Sequence, residues 1–279
     1  MEVATIQRQY DDVIASQYDL DPQSITSNSL DIAISHMIAE GLLSNILPAM
    51  RILDVGMGTG MFLEKLRHCS SRPIEPYGID ISARMVEIAQ RKLPDLIAAV
   101  DDGANIDRHF CDGTFHLAST HFVTGFVPIS HLAPRIFRKL EDGGYWSFVG
   151  GTSLGYAELQ RRANHPVIRM LFGGRSPDLQ GMICPDGEES VKSVIQEAGF
   201  DIVDSQTHQP ELKFSGFDEF MEYAYHGGWL TPFIEQIGLQ NAKRWQQTVL
   251  NKLVFPVVDH HNIVLVLARK RGPAHPLPC

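Results

Sequence analysis

The apolar residues of this chain follow two alternating patterns. Short apolar runs, typical of strands buried on both faces, are separated by stretches in which apolar residues return every three or four positions, as in amphipathic helices. This alternation predicts an α/β fold built on a doubly wound, mostly parallel sheet of seven strands. The predicted strands cover residues 51–55, 77–80, 96–100, 115–122, 145–149, 200–205 and 262–269.

Helices are predicted between these strands and ahead of them. The segment from Ser27 to Leu47 carries apolar residues at helical spacing, and Pro48 ends the pattern. We expect this N-terminal helix to pack on the sheet, and its broad apolar face also offers a surface for homo-oligomer formation. The other predicted helices cover residues 61–69, 83–92, 130–139 and 188–198.

Two segments lie outside the sheet pattern. Residues 152–186 are rich in Gly, Pro and Arg, and residues 210–256 are rich in aromatic side chains. Insertions on a rigid scaffold often carry specificity, so we predict a helical cap over a pocket. The predicted organisation is a helical segment (1–50), a core (51–209 and 257–271), a cap insertion (210–256, with 152–186 contributing) and a disordered tail (272–279).

Composition and charge narrow the function classes. The 279 residues are 44% apolar, enough for one large domain with an insertion. A net charge of -9 disfavours a nucleic-acid partner and favours a small-molecule substrate. Neither a membrane-spanning run nor a signal peptide is predicted. Four cysteines without CxxC spacing suggest reduced thiols in a cytoplasmic protein, and no metal site is predicted.

One glycine-rich turn carries the strongest chemical signal. The sequence RILDVGMGTGMF begins at Arg51 and places Asp54 at a strand end, followed by glycines at alternate positions, Gly56, Gly58 and Gly60. Glycines here let the backbone turn sharply and approach a ligand, while the following helix directs free N–H groups at it. A second predicted strand ends in Asp80, where a carboxylate would bind a ribose. The turn contains no cation to meet a phosphate, unlike a dinucleotide site.

The motifs resemble those of the class I S-adenosylmethionine-dependent methyltransferases. The resemblance rests on Asp54-x-Gly56-x-Gly58-x-Gly60, on Gly78-Ile79-Asp80-Ile81-Ser82-x-x-Met85 and on Leu140-Glu141-Asp142-Gly143-Gly144. It implies a Rossmann-like fold, S-adenosylmethionine as cofactor and methyl transfer to a small molecule. In outline, the chain is also similar to carbon methyltransferases of the teleocidin pathway type.

The resemblance implies roles for individual residues at the cofactor. Asp54 would face the methionine portion, the three glycines would make room, and Asp80 would accept both ribose hydroxyls. Asp102 is favoured for the adenine amino group, although Asp101 and a register through Asp112 stay open. The other implied cofactor residues are Tyr18, Ser82, Met85, Gly103 and the backbone of Thr120.

Substrate and catalytic residues are predicted from position and chemistry. The cap aromatics and the N-terminal segment suggest an apolar or aromatic acceptor, with Tyr10, Phe217, Tyr223 and Trp229 as substrate candidates. A base is needed only if the acceptor must lose a proton, and histidine is then the natural choice. The candidate bases are His121 and His226, with His165 and His208 as further options.

Three function hypotheses follow from these residues. The first is methylation of a small apolar or aromatic metabolite of natural-product type. A sharper form is carbon methylation of a prenyl alkene followed by carbocation cyclisation, because aromatic faces stabilise cations. The third, of another class, is a non-catalytic or pericyclase-like relative that keeps the cofactor only as structure.

Overall fold

The fold is that of a computed structural model, which describes residues 3–44, 48–173 and 184–272. Within these ranges the chain alternates strands and helices through its central part. The strands are β1 (Met50–Val55), β2 (Ile74–Asp80), β3 (Ile97–Val100), β4 (Phe115–His121), β5 (Leu140–Gly151), β6 (Phe200–His208), β7 (Glu211–Phe214), β8 (Val257–His260) and β9 (Ile263–Lys270).

Seven of these strands form one sheet in the order β3-β2-β1-β4-β5-β9-β6. Strands β1 to β5 pair in parallel, whereas β9 is antiparallel to both β5 and β6. The predicted doubly wound, mostly parallel seven-stranded sheet is confirmed. Its strand order reverses between β1 and β4, and the carboxyl ends of strands at such a switch point form a crevice for ligands.

Helices cover both faces of the sheet and one of its ends. The α-helices are α1 (Val3–Gln9), α2 (Ile25–Ala39), α3 (Met61–Cys69), α4 (Ala83–Lys92), α5 (Ile129–Lys139), α6 (Ala157–Ala163), α7 (Pro166–Leu171), α8 (Glu188–Glu197), α9 (Phe217–Met221), α10 (Thr231–Ile237) and α11 (Arg244–Leu253). Shorter turns lie at Tyr10–Ile14, Tyr18–Leu20, Gly103–Arg108, Glu222–His226 and Leu239–Asn241.

Helix α2 is shorter than the helix predicted from residue 27 to residue 47. It ends at Ala39 because Gly41 adopts a left-handed conformation (φ 74°), which breaks the helical repeat. Leu42 stays buried beyond the turn, and residues 45–47 lie outside the described part of the chain. The apolar face of α2 packs on the sheet through residues such as Met37. Its use in a homo-oligomer stays a prediction.

Strand β5 begins five residues earlier than predicted. The motif Leu140–Gly144 is an irregular part of this strand, in which Gly143 has a φ of 78°. A Cβ on Gly144 would lie 3.1 Å from the carbonyl oxygen of Phe115, so close pairing with β4 favours glycine there. The motif thus lies at the amino end of β5, opposite the carboxyl ends of the strands where the crevice lies.

The helices α6 and α7 and residues 210–260, which we call the cap, pack in one hydrophobic cluster with parts of α2, β5 and β9. Strands β7 and β8 of the cap pair in an antiparallel ladder that the sequence pattern did not predict. Aromatic side chains such as Phe214 and Phe220 are buried within it. The predicted tail lies outside the described residues except for Gly272, as do residues 174–183 of the other insertion. No described helix is long and apolar enough to cross a membrane.

Candidate active site

The glycine turn between β1 and α3 opens onto the crevice. Gly56, Gly58 and Gly60 all have positive φ values, of 72°, 54° and 75°. A Cβ on Gly56 would lie 2.5 Å from Val123 Cγ2, so this glycine is required by space as well as by backbone conformation. A Cβ on Gly58 would meet only the ring of Tyr18, at 3.7 Å. The turn therefore leaves space for a ligand beside Gly58.

Asp80 lies at the end of β2 and faces this turn. Its Oδ2 accepts a hydrogen bond from the Gly58 N–H (2.8 Å), and its Oδ1 accepts one from the Ser82 N–H (2.9 Å). Each carboxylate oxygen has two lone pairs, so the group can accept further donors such as vicinal hydroxyls. Burial raises the pKa of Asp80 to about 6.

Ser82 and Met85 lie behind the crevice wall. Ser82 Oγ accepts a hydrogen bond from the Met85 N–H (3.1 Å) and donates one to Asp11 Oδ1 (2.5 Å), so it is the N-cap of α4. Met85 is fully buried and packs against Ile14. Neither residue lines the cavity, and their predicted contacts with a cofactor stay predictions.

Asp54 and Thr120 end the two central strands beneath the turn. Asp54 Oδ1 accepts a hydrogen bond from Ser119 Oγ (2.7 Å), and burial raises the pKa of Asp54 to about 7. Thr120 Oγ1 accepts one from the indole N–H of Trp146 (2.9 Å). Both side chains are buried under the crevice and do not form its wall.

Three carboxylates follow β3, and their surroundings differ. Asp102 and Gly103 line the cavity, and Asp102 also caps the short helix that follows it. Asp101 instead bonds to His109 (2.8 Å), and hydrogen bonds from His109 and Asn105 lower the pKa of Asp101 to about 2. Asp112 pairs with the buried lysine that ends α5. Of the three, Asp102 is the one placed to contact a ligand in the crevice.

The N-terminal segment covers this part of the crevice. Tyr10 and Tyr18 line the cavity, and the ring of Tyr10 contacts Phe126 edge to face at 5.7 Å between centroids. Asp19 accepts a hydrogen bond from Thr59 Oγ1 (2.5 Å) and forms an ion pair with Lys92 on α4 (2.7 Å). Asp19 thus anchors the segment to the glycine turn and to α4.

The cavity has a volume of about 650 Å³ and connects the glycine turn to the cap. Small-molecule and cofactor sites commonly occupy about 300–1,000 Å³, so the space suits a bound small molecule. Several of its lining residues were not predicted from the sequence. They include Ile6, Ile81, Phe122, Val123, Thr124, Phe126, Tyr156, Gln160, Cys184, Asp186, Leu230 and His261.

His121 is the one predicted histidine that lines the cavity. Its Nε2 hydrogen-bonds to Ser147 Oγ (3.0 Å), and burial lowers the pKa of the imidazole to about 3. His226 does not reach the cavity, because it ends a π-helical turn with its ring against Tyr225 (5.1 Å between centroids). His165 caps α7 instead, and His208 ends β6.

His261 lines the cavity although the sequence analysis did not select it. Its ring lies 4.8 Å from Trp229 and 4.8 Å from Tyr156, measured between centroids, and burial lowers its pKa to about 3. Because β9 is antiparallel, the residues just before it meet the carboxyl ends of the parallel strands. The polar run Asp259-His260-His261-Asn262 ahead of that strand was the available signal.

The predicted substrate residues lie in different places. Tyr10 and Trp229 line the cavity. Tyr223 is fully buried behind Trp229, with the two rings stacked at 5.8 Å, and its hydroxyl hydrogen-bonds to that of Tyr156 (2.8 Å). Phe217 lines a second, smaller cavity in the cap. In the described part of the chain, no cluster of three or more His, Cys, Asp or Glu residues could hold a metal ion.

The second cavity has a volume of about 90 Å³ and an almost entirely apolar wall. It shares Tyr156, Gln160 and Leu230 with the large cavity, so the two adjoin.

Comparison with known proteins supports the interpretation of the crevice. Residues 52–144, which include the glycine turn, Asp80 and Asp102, match the model of a methyltransferase domain. Among curated proteins, no sequence matches this chain significantly.

Solved structures share the fold at low sequence identity. A candidate methyltransferase of Bacillus halodurans has a TM-score of 0.56 at 12% identity, over 85% of this chain and 98% of that one. The YcgJ protein of Bacillus subtilis has a TM-score of 0.55 at 16% identity, over 86% and 99%. A third structure concerns the conversion of a disulfide bond into a thioacetal group during echinomycin biosynthesis. It has a TM-score of 0.52 at 13% identity, over 87% of this chain and 82% of that one.

These similarities agree with the geometry of the crevice. The domain match covers β1 to β4 and the start of β5, which together carry the glycine turn and both crevice carboxylates. The turn leaves space that a Cβ would fill at Gly56, and Asp80 retains lone pairs for hydroxyl donors. Residues 52–144 therefore match a methyltransferase domain, carried on the Rossmann-like fold that the compared structures share.

Proposed function

We propose that this enzyme methylates a small apolar or aromatic metabolite of natural-product type. One observation carries the proposal: a single cavity joins the cofactor crevice at Gly58 and Asp80 to a wall of aromatic side chains at Phe122, Trp229 and Tyr156. Aromatic walls bury large apolar areas of a ligand, and flat side chains lose little conformational entropy on binding.

The chain's own residues have mainly a positioning role in this proposal. S-adenosylmethionine, when bound, supplies a methyl group already activated on a cationic sulfur. Asp80, oriented by the Gly58 N–H, is placed to hold the ribose, and Asp102 the adenine amino group. Tyr10 and Tyr18 close the crevice from above, which excludes water and fixes the alignment that a displacement at carbon requires.

The two cavity histidines bear on the chemistry of the acceptor. Burial lowers the pKa values of His121 and His261 to about 3, so both are neutral at physiological pH and are weak proton acceptors. An acceptor atom that needs no proton removal suits this environment better than an alcohol. This observation favours, as a second candidate, carbon methylation of a prenyl alkene, whose cation would contact the faces of Trp229 and Phe122.

A pericyclase-like relative that keeps the cofactor only as structure makes a different prediction. It would convert its substrate without releasing S-adenosylhomocysteine. Turnover with S-adenosylmethionine labelled in the methyl group separates the two, because an enzyme of the proposed kind forms one S-adenosylhomocysteine for each labelled product.

The proposal predicts that Trp229→Ala lowers kcat/KM for the acceptor by about tenfold to a hundredfold. The side chain forms part of the cavity wall, stacked on Tyr223, and its removal leaves the acceptor unaligned. The measurement uses methyl-labelled cofactor with a panel of indoles, phenols and prenyl alcohols, followed by label counting and mass spectrometry.

Trp245→Ala is the matched control, because Trp245 lies exposed on α11 outside the cavity. It should leave kcat/KM unchanged, and neither variant should change the Kd for S-adenosylhomocysteine. Equal loss in the two variants, or full activity of Trp229→Ala, would contradict the proposed acceptor site.

Cofactor binding is also expected to depend on pH. Because burial raises the pKa of Asp80 to about 6, its carboxyl gains a proton as the pH falls through that value and then accepts hydroxyl donors less well. We expect the Kd for S-adenosylhomocysteine to rise about tenfold from about pH 7.5 to about pH 5. Calorimetry at constant ionic strength measures it.

Asp101→Asn provides the control for this pH profile. Asp101 already has its pKa lowered to about 2 by His109 and Asn105, so it stays ionised throughout the range. The variant should keep the wild-type pH dependence. A Kd that does not change with pH would show that Asp80 does not bind the ligand as an ionised carboxylate.

The remaining sequence predictions extend this proposal. The division into helical segment, core and cap is our proposed domain organisation, and a homo-oligomer through the N-terminal helices is a proposed assembly. A cytoplasmic location is proposed from the cysteine usage alone.

A further inference from the structure

We propose that the small cavity in the cap binds a hydrocarbon branch of the acceptor, of roughly four or five carbons. This assignment rests on the proposed methyl transfer, because it concerns one part of that acceptor. It goes further in naming the chemical class: a compound whose methylated atom lies near Trp229 and whose aliphatic group extends away from the cofactor.

The first argument is the composition of the wall. The cavity lies between α6, α7 and the helices of residues 210–260, and its wall includes Phe217, Phe220, Leu239 and Leu250, all buried. Protein interiors contain few voids larger than a water molecule, and voids lined by apolar side chains stay dry and take up apolar guests. The lining also includes the exposed residues Asn164 and Arg169, so the space reaches the surface there, and its apolar inner wall indicates a site for an apolar group.

The second argument is the state of the polar groups beside the cavity. The hydroxyl of Tyr156 hydrogen-bonds to that of Tyr223 (2.8 Å), and the amide N–H of Gln160 donates to the Gly155 carbonyl (3.0 Å). A polar branch would exchange its hydrogen bonds with water for contact with Phe and Leu side chains, at a net cost. A hydrocarbon branch pays no such cost.

The third argument is continuity with the site of methyl transfer. Both cavities share three lining residues, Tyr156, Gln160 and Leu230. The two spaces are therefore neighbours, with these side chains between them. A molecule held against Trp229 can place one substituent between these side chains. The volume of about 90 Å³ is smaller than the cavity of about 150 Å³ that admits benzene, which limits the branch to a few carbons.

Ala163→Leu tests the proposal by filling the cavity. Ala163 lines it from the end of α6, half-buried, and does not line the large cavity. The probe is 3-methylbut-2-en-1-ol, titrated by ligand-observed NMR in the presence of saturating S-adenosylhomocysteine. We expect saturable binding to the wild type and at least tenfold weaker binding to Ala163→Leu. Pentane-1,5-diol, which ends in hydroxyls on both sides, should bind neither protein.

Ala157→Leu is the matched control, with the same change at an exposed position of the same helix. It should bind the probe as the wild type does. Phe220→Ala enlarges the cavity and should shift the preference toward longer prenyl alcohols, which keeps the test informative if Ala163→Leu does not fold. The proposal is overturned if Ala163→Leu binds the probe like the wild type, or if the diol binds equally well.

S-adenosylhomocysteine binding separates this proposal from the proposed function. Its Kd should be the same in the wild type, Ala163→Leu and Ala157→Leu, because Ala163 lies outside the cofactor crevice. Normal cofactor binding and methyl transfer without any probe binding would overturn the hydrocarbon site alone. Absence of methyl transfer with intact probe binding would contradict the proposed function and leave an apolar ligand site.

Discussion

Asp80→Asn is expected to weaken S-adenosylhomocysteine binding by at least about 100-fold. The carboxylate accepts hydrogen bonds from the N–H groups of Gly58 and Ser82 and retains lone pairs for the ribose. An asparagine amide has one oxygen only, so its NH2 group would face one of these backbone donors. The variant therefore loses both the ribose acceptor and the geometry of the turn. Calorimetric titration of the purified chain measures the change in Kd.

The fold should tolerate this change better than the binding site does. Because burial raises the pKa of Asp80 above its unfolded value, its contribution to stability is present at low pH and declines as the pH rises through about 6. A neutral side chain removes that cost at pH 8 and partly offsets the lost hydrogen bonds. We expect the Tm to change by a few degrees at most.

Asp101→Asn is the matched control at the end of the neighbouring strand. Asp101 follows β3 and bonds to His109 and Asn105, outside the cavity wall. It should bind S-adenosylhomocysteine within about threefold of the wild type. Equal binding by Asp80→Asn and Asp101→Asn would contradict the role of Asp80.

The cofactor half of the cavity could be predicted because its signal is local. Strand, turn and helix follow one another within a few residues, so Gly56, Gly58 and Asp80 reveal their positions through sequence spacing alone. In the structure Gly56, Gly58, Asp80, Asp102 and Gly103 all line the cavity. The mostly parallel core follows from the alternation of strand and helix patterns.

The acceptor half could not be predicted in the same way. Tyr156 and His261 are about a hundred residues apart, yet their ring centroids lie 4.8 Å apart, because the end of β5 pairs with the start of β9. Aromatic residues in the cap look alike in sequence whether they line the cavity, as Trp229 does, or are buried in the core of the cap, as Tyr223 is. Only the packing of the helices separates the two groups.

The helix that ended earlier than predicted illustrates a second limit. Apolar spacing continues past Ala39 to Leu42 because these residues are buried by the same core, although the chain turns at Gly41. Hydrophobic periodicity reports burial on one face, and a turn of suitable phase preserves that periodicity. The positive φ of Gly41 supplies the turn.

The electrostatics of the cavity connect both halves in one chemical argument. At the cofactor end, the buried carboxyls of Asp54 and Asp80 have raised pKa values, so a bound cation or hydroxyl donor favours their ionised forms. At the acceptor end, His121 and His261 are held neutral. In the proposed function, carboxyl groups at one end of the cavity and neutral imidazoles at the other suit a substrate that develops positive charge.

Gly56→Val is expected to abolish S-adenosylhomocysteine binding, with a Kd raised by more than about 100-fold. A Cβ at this position would lie 2.5 Å from Val123 Cγ2, and Val123 itself lines the cavity. The side chain can be admitted only if Val123 moves toward the ligand space. The positive φ of 72° adds strain, because a β-branched residue rarely adopts it.

Gly113→Val separates the loss of space from the backbone strain. Gly113 has a similar φ of 63°, but a Cβ there would meet no atom within 4 Å, and the residue lies outside the cavity. Both variants should lose Tm through strain, whereas Gly113→Val should retain cofactor binding. If Gly56→Val does not fold, Gly56→Ala against Gly113→Ala gives the same comparison with less strain. Both glycines have a positive φ, and only at Gly56 would a Cβ meet a neighbouring atom. Retained binding in the Gly56 variants would therefore contradict the close approach of the turn to the cofactor.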